Sequence, residues 1–358
     1  MRAQRWSARF PLFQRLARLF SPLPHQRDKR SRRSRERVTC FIEASDAQAR
    51  RYRPSESAVI TSAIFPAWMR RSGWSTKRLM PGITFFDNCW EYYNGKTENI
   101  LGRAIKGRRD QIFLMTKVCT HGRSGRLALQ MLEESLRRLG TDHLDLWQIH
   151  GIVYDNDPEL AYARGGVLEA FDQAKQQGKT RFVGFTGHKD PAFHLKMLEL
   201  GYPFDTVQMP LNPFDASFHS FQKQVLPEVN RRGMAALGMK SMGGTAWAIK
   251  NGVVKAEELL RYAMSLPVAT TIVGMDSLEV LHQNLRFVAG FKPMSDSEMD
   301  DLCLGCAAAA ADGRYEPYKV SLRYDNPMTR LPHGFPIDHT QREVTEMLEK
   351  GDAPWLAP

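Results

Sequence analysis

Ser135-Leu136-Arg137-Arg138-Leu139-Gly140-Thr141-Asp142-His143-Leu144-Asp145-Leu146-Trp147-Gln148-Ile149-His150 passes from a helical pattern to a strand pattern within one short stretch. Its first part closes a helix over 126–139. Leu129, Leu132, Leu136 and Leu139 recur at spacings of three and four, Glu133 and Glu134 stand one turn before Arg137 and Arg138, and Gly140 is a stop. Its second part is an apolar run from Leu144 that ends on the polar His150. A helix followed at once by a strand of this kind is a building unit of a parallel sheet.

Working outward, the same alternation begins at Gly82 and continues to Gly290. The predicted strands are Ile83–Asn88, Ile112–Lys117, Leu144–His150, Arg181–His188, Thr206–Asn212, Met234–Ser241 and Thr270–Met275. Between and after them lie the predicted helices Arg126–Leu139, Gly165–Gln177, Pro191–Leu200, Phe221–Arg232, Lys255–Ser265 and Ser277–Gly290. This predicts an α/β fold, a (β/α)8 TIM barrel with seven strands recognisable from residue 82 onward. The eighth would have to lie upstream of Gly82. Only Ser57–Phe65 has strand character there, so the first strand is atypical or missing. A doubly wound open sheet is the alternative, weakened because no Gly-x-Gly-x-x-Gly follows a first strand.

Composition narrows the function classes. The 358 residues are 42% hydrophobic and 25% charged, ordinary values for a globular chain. No apolar run approaches the length of a membrane span. Five cysteines, Cys40, Cys89, Cys119, Cys303 and Cys306, are too few and too scattered for a disulfide scaffold, which points to a reducing, cytoplasmic setting. The net charge of +11 is localised: residues 1–80 hold 19 Lys and Arg against 5 Asp and Glu. The remainder is mildly acidic, so the charge is no argument for nucleic acid. The basic segment reads as an altered start, a disordered tail or a targeting peptide. The expected organisation is thus a basic atypical segment over 1–80, a barrel over 81–295, and a C-terminal helix and tail over 296–358 that lies across the barrel mouth.

Polar residues at the C-terminal ends of barrel strands line one mouth, where active sites are built. Those ends supply Asp87, with Tyr92 five residues later, Lys117 and His150. A cation beside the phenol would lower its pKa, the aspartate would hold that cation, and the imidazole could bond a carbonyl oxygen. Together they compose a general acid for carbonyl reduction.

These residues also resemble the aldo-keto reductase family. Gly82-Ile83-Thr84-Phe85-Phe86-Asp87-Asn88-Cys89-Trp90-Glu91-Tyr92, Phe113-Leu114-Met115-Thr116-Lys117 and the opening stretch from Ser135 to His150 are similar to its segments. The resemblance covers residues 82 to about 290. It implies an NAD(P)H-dependent oxidoreductase acting on a small aldehyde or ketone, with Tyr92 as proton donor, Lys117 and Asp87 as its tuners and His150 as carbonyl orienter.

The resemblance implies NADPH or NADH as cofactor. Gln208 and Asn212 align with the family's Gln-x-x-x-Asn-Pro, which puts Gln208 on the carboxamide. The usual Ser-Asn pair is Thr186-Gly187 here, leaving His188 to supply the second amide contact. The stacking aromatic is replaced by Met239, and Lys240, Ser241 and Gly243-Gly244 would meet the pyrophosphate. Gln283-Asn284 match the adenine-contacting pair. The positions that commonly carry 2′-phosphate-binding cations hold Gly274, Asp276 and Val280, so charge gives NADPH no support, and Asp276 would repel the phosphate; the sequence does not decide between NADPH and NADH.

The expected partner is a small carbonyl compound, with no nucleic acid, no stable membrane association, and a monomer or weak oligomer. A non-catalytic nucleotide-binding barrel is the rival reading, against which the complete proton-transfer set argues. Cys303-x-x-Cys306 reads as helical filler beside Ala307–Ala311, and the loosely spaced His333, Asp338 and His339 leave no metal site expected.

Overall fold

Runs such as Leu144–Ile149 and Phe113–Val118 are buried along their whole length, as parallel strands are when helices cover the outside and side chains fill the inside. The computed structural model describes residues 83–118, 123–275, 277–321 and 324–325, with the backbone of Ala58–Thr61 and Leu278. The strands are β1 (Ala58–Thr61), β2 (Ile83–Asp87), β3 (Phe113–Val118), β4 (Leu144–Ile149), β5 (Thr180–Thr186), β6 (Thr206–Pro210), β7 (Ala235–Met239), β8 (Thr270–Thr271) and β9 (Val273–Gly274).

All pair in parallel, in the order β8-β7-β6-β5-β4-β3-β2-β1-β9. Only Ile272 separates β8 from β9, so these are two halves of one staves' position. The first half pairs with β7 through Leu237↔Thr270, the second with β1 through Ile60↔Val273 and Thr61↔Gly274. The row thereby returns on itself as a (β/α) barrel. The predicted single strand Thr270–Met275 is corrected to this broken one.

The first-strand position is filled by Ala58–Thr61, inside the upstream stretch with strand character. It lies against β2 through Val59↔Phe85, Ile60↔Phe86 and Thr61↔Asp87, with a register irregularity between Ala58 and Val59. The strand is therefore atypical rather than missing. The rest of the basic segment lies outside the described residues.

Side chains alternate between two packing layers. Phe85, Phe113, Met115, Leu146, Leu237 and Ile272 fill the barrel interior, where the Phe85 and Phe113 rings stack at 4.8 Å. Phe86, Leu114, Trp147, Val183 and Val207 face outward into the larger core against the helices. Helix Gly125–Leu139 buries Ala128, Leu132, Leu136 and Leu139 and ends on Gly140, whose φ of 67° suits glycine. Of its two expected i,i+4 pairs, Glu134–Arg138 forms at 3.0 Å, whereas Glu133 pairs with Lys179.

The predicted helix Phe221–Arg232 is two helices, Phe221–Gln224 and Leu226–Arg231. Pro227 has no N–H to continue the first and sits comfortably in the first turn of the second. Helices Lys96–Ala104, Asp157–Tyr162, Trp247–Lys250 and Pro317–Val320 add to the predicted set, and Asp296–Ala310 carries the two nearby cysteines. Cys306 is buried against Phe214 and Leu259, and Cys303 Sγ lies 3.1 Å from the Tyr262 hydroxyl. Burial pushes the Cys306 thiol up to about 11. No helix among the described residues is long and apolar enough to cross a membrane.

Candidate active site

Asp87 ends β2, Lys117 is the penultimate residue of β3, and His150 follows β4 directly. Three neighbouring strands therefore deliver them to one rim. Asp87 and Lys117 are almost wholly buried, and the Lys117 ammonium forms an ion pair with one Asp87 oxygen. It donates a further hydrogen bond to the Asn88 carbonyl at 2.9 Å. The second Asp87 oxygen accepts from Gln208 Nε2 at 3.0 Å, which ties β6 to the β2 end across the barrel.

Tyr92 comes from the turn after β2. Tyr93, Asn94 and Gly95 all take positive φ, of 50°, 55° and 76°, a conformation only glycine adopts without strain. A Cβ on Gly95 would also lie 2.5 Å from Arg138 Cζ, so a side chain there would have to displace the guanidinium as well. The turn is anchored by Trp90, whose backbone N–H donates to the Lys117 carbonyl at 3.1 Å and whose ring lies under Arg138. It leaves the half-buried Tyr92 ring 5.4 Å from the Lys117 ammonium and edge-on to His150 at 5.6 Å.

The electrostatics of Tyr92 differ from the expectation that Lys117 lowers its pKa. Burial pushes the phenol well above its ordinary value, and Cys89, Asp87 and Glu91 add to the rise. With Lys117 neutralised by Asp87, burial and the anions prevail, and the phenol keeps its proton.

His150 is fixed by residues the sequence reading passed over. Its Nδ1 lies 2.5 Å from Glu91 Oε1 and 3.2 Å from Cys89 Sγ. Its carbonyl accepts from Arg123, which also holds the Gly151 carbonyl at 2.7 Å and pairs with the buried Asp157 at 3.2 Å. Burial, reinforced by Glu91, raises the Cys89 thiol well above its usual range.

The predicted cofactor residues divide into two groups. Thr186, His188, Met239, Lys240 and Ser241 stand at or just beyond the ends of β5 and β7, and Gln208 lies in the middle of β6 between them. Thr186 bonds to Met239 Sδ at 3.8 Å, and Ser241 is buried. Gly187 is explained by packing, because a Cβ there would lie 2.3 Å from the Ile152 carbonyl oxygen. Two buried polar atoms here have no hydrogen-bond partner among the described residues: Gln208 Oε1 and His188 Nδ1. A carboxamide offers a donor and an acceptor, so this pair fits the amide end of a nicotinamide. Burial, Lys240 and His150 hold the His188 imidazole well below its usual pKa, hence neutral. The second group is elsewhere. Gly274 and Gln283 are exposed, Asn284 faces a cleft beside Ile83, Leu260 and Met264, and Asp276 lies outside the described residues.

Gly243 and Gly244, expected at a pyrophosphate, also make room for the C-terminal segment. Cβ atoms on them would meet the Tyr315 carbonyl oxygen at 2.5 Å and the Tyr318 ring at 3.2 Å. Asn212 Nδ2 donates to the Lys240 carbonyl and to Glu316 Oε1, while Lys319 pairs with Asp215 at 2.6 Å and Glu316 at 2.7 Å. Tyr318 packs edge-on against His188 at 5.5 Å and lies beneath Lys240. Burial lowers the Lys240 pKa, Lys117 lowers it further, and Asp87 opposes the shift.

Comparison with known proteins agrees with this architecture. Residues 78–248 match the Aldo/keto reductase family. Aldo-keto reductase YhdN of Bacillus subtilis is 30% identical over 159 residues, 41% of this chain and 44% of that protein. Methylglyoxal reductase YeaE of Escherichia coli is 41% identical over 103 residues, 29% of this chain and 34% of that one. The chain thus spans less than half the length of these curated relatives. Among solved structures, the holo form of an aldo-keto reductase from Bacillus halodurans superposes with a TM-score of 0.57 at 21% identity, covering 72% of this chain and 94% of the other. An aldo-keto reductase from Klebsiella pneumoniae in complex with NADPH gives 0.54 at 21% identity, covering 68% and 88%. Residues 78–248 are thus similar to the Aldo/keto reductase family, and the barrel they help build shares its fold with the aldo-keto reductase structures.

Proposed function

We propose that the chain is a nicotinamide-dependent oxidoreductase that reduces the carbonyl group of a small aldehyde or ketone. The observation that carries this reading is the convergence of Asp87, Lys117, Tyr92 and His150 on one rim, with the phenol ring 5.4 Å from the ammonium and 5.6 Å from the imidazole.

A nicotinamide dinucleotide, when bound, supplies the hydride. The rest falls to the protein. Tyr92 stays protonated at rest and gives its phenolic proton to the carbonyl oxygen. Lys117, paired with Asp87, is the cation nearest the phenolate that remains. His150, held at Nδ1 by Glu91, orients the carbonyl oxygen. Gln208 and His188 take the carboxamide through the two atoms without partners. Lys240, half-buried over Tyr318, is the cation for the pyrophosphate. The reductase name of the Escherichia coli relative and the NADPH of the Klebsiella structure support the same class of chemistry.

The test is dinucleotide consumption with aldehydes, ketones and quinones, in parallel with NADPH and NADH. Oxidation of either with at least one carbonyl class is expected. Tight dinucleotide binding without turnover on any of them would favour the non-catalytic barrel instead.

A further inference from the structure

Cys89, Glu91 and His150 bring a thiol, a carboxylate and an imidazole nitrogen to within 4.8 Å of one another. Nothing in their sequence spacing announces this, since His150 lies 61 residues after Cys89. The separations are 3.2 Å from Cys89 Sγ to His150 Nδ1, 3.9 Å from Cys89 Sγ to Glu91 Oε1, and 2.5 Å from His150 Nδ1 to Glu91 Oε1. A tetrahedral zinc with ordinary bond lengths sets its ligand atoms roughly 3.3–3.7 Å apart. Both sulfur distances are close to that range. The shorter imidazole–carboxylate distance is that of a hydrogen bond, which opens when a cation replaces the shared proton.

We propose that Cys89, Glu91 and His150 form a binding site for a thiophilic divalent cation of the zinc type. One sulfur, one nitrogen and one oxygen ligand suit such an ion, and three protein ligands leave a fourth position open. Entry is from the mouth: the Glu91 and His150 side chains are 18% and 17% exposed, while Cys89 forms the buried floor. On binding, the Cys89 S–H bond breaks and its proton goes to solvent, the proton between His150 Nδ1 and Glu91 moves to Nε2 or, where Nε2 already carries one, to solvent, and bonds from the metal to sulfur, nitrogen and oxygen form. The backbone behind the site is braced, because Arg123 holds the His150 and Gly151 carbonyls. Occupancy would also replace the Glu91 hydrogen bond that holds His150 Nδ1, a change at the carbonyl-orienting imidazole that rests on the proposed reductase reading, whereas binding itself does not.

The experiment uses the full chain after chelator treatment, titrated with cobalt(II) and followed by absorbance, then challenged with zinc. One equivalent of cobalt with a sulfur-to-metal charge-transfer band, displaced by zinc, is expected. Cys89→Ser, which keeps the volume, should abolish the band, and Glu91→Gln should weaken binding. Circular dichroism on each variant confirms that it is folded. If Cys89→Ser does not fold, Cys89→Ala takes its place. No stoichiometric binding to the wild-type chain, or an unchanged band and affinity in a folded Cys89 variant, would overturn the proposal. Because the readout is absorbance, a positive result stands even if no carbonyl is reduced, and a negative one leaves the reductase reading intact.

Discussion

On the β2–β4 side of the mouth, Asp87, Lys117 and His150 arrive from consecutive strand ends and are braced mainly by residues of the same region: Asn88, Glu91, Trp90 and Arg123. On the β6–β7 side, Asn212, Asp215 and Lys240 are braced by Glu316, Tyr318 and Lys319, about a hundred residues further along the chain. One side is built by local strand-end chemistry, the other by a late segment that must dock. Damage to the docked segment should therefore reach the stability and the dinucleotide side first. Damage to the strand-end set should reach chemistry first.

The largest stability effect belongs to the docked side. Lys319 is buried between Asp215 and Glu316, and burial, only partly offset by Lys319, already raises Asp215 to about 6. Lys319→Met leaves two carboxylates buried without their cation, and a loss of about 3–5 kcal/mol is expected. Chemical denaturation measures it. A loss well below 1 kcal/mol would mean that the segment does not brace this side.

A smaller effect separates family resemblance from local packing. Gly187 stands where the family commonly has Asn, yet its Cβ would strike the Ile152 carbonyl and His194. Gly187→Asn should cost about 1–3 kcal/mol through overpacking, rather than improve dinucleotide binding by restoring an amide. Tighter binding with an unchanged Tm would show that the neighbouring backbone yields.

The smallest effect is a slope. Asp325 is raised to about 6, chiefly by burial, against the pull of Lys189 and with Asp157 adding to the rise. An acid whose folded pKa exceeds its unfolded value of about 4 takes up protons preferentially in the fold. Its contribution to stability is thus largest at low pH and is lost as pH climbs through the window from about 4 to 6. Asp325→Asn removes that term, so the Tm of the variant minus that of the wild type should rise across this window and level off above it. A difference that falls, or stays flat, would contradict the burial of Asp325 against Lys189.

These two sides were not equally legible in the sequence. Parallel strands buried on both faces must be apolar runs, and a polar residue closing such a run points into the mouth, which is why Asp87, Lys117 and His150 could be read off. Helix Lys96–Ala104 could not. Its buried face includes Glu98, satisfied by Thr116, Ser135 and Arg138, and a charged residue on the inner face hides the helical period. Glu91 meets His150 only because the turn folds it there, 59 residues away in sequence, and no local pattern announces the pairing. The docking of Tyr318 and Lys319 depends on partners far away in sequence, and no local pattern encodes it. Strand β1 was visible only as a short Ala-Val-Ile-Thr run, because its assignment depends on the pairing with β2 and β9.

The most direct test of the account is a paired measurement on Tyr92→Phe, which keeps the ring that packs against His150 and removes the proton. Single-turnover carbonyl reduction and the dinucleotide Kd are measured on the same preparation. A rate lower by roughly two to four orders of magnitude with the Kd nearly unchanged is expected. A rate equal to that of the wild type, or a parallel collapse of rate and affinity, would contradict Tyr92 as the proton donor.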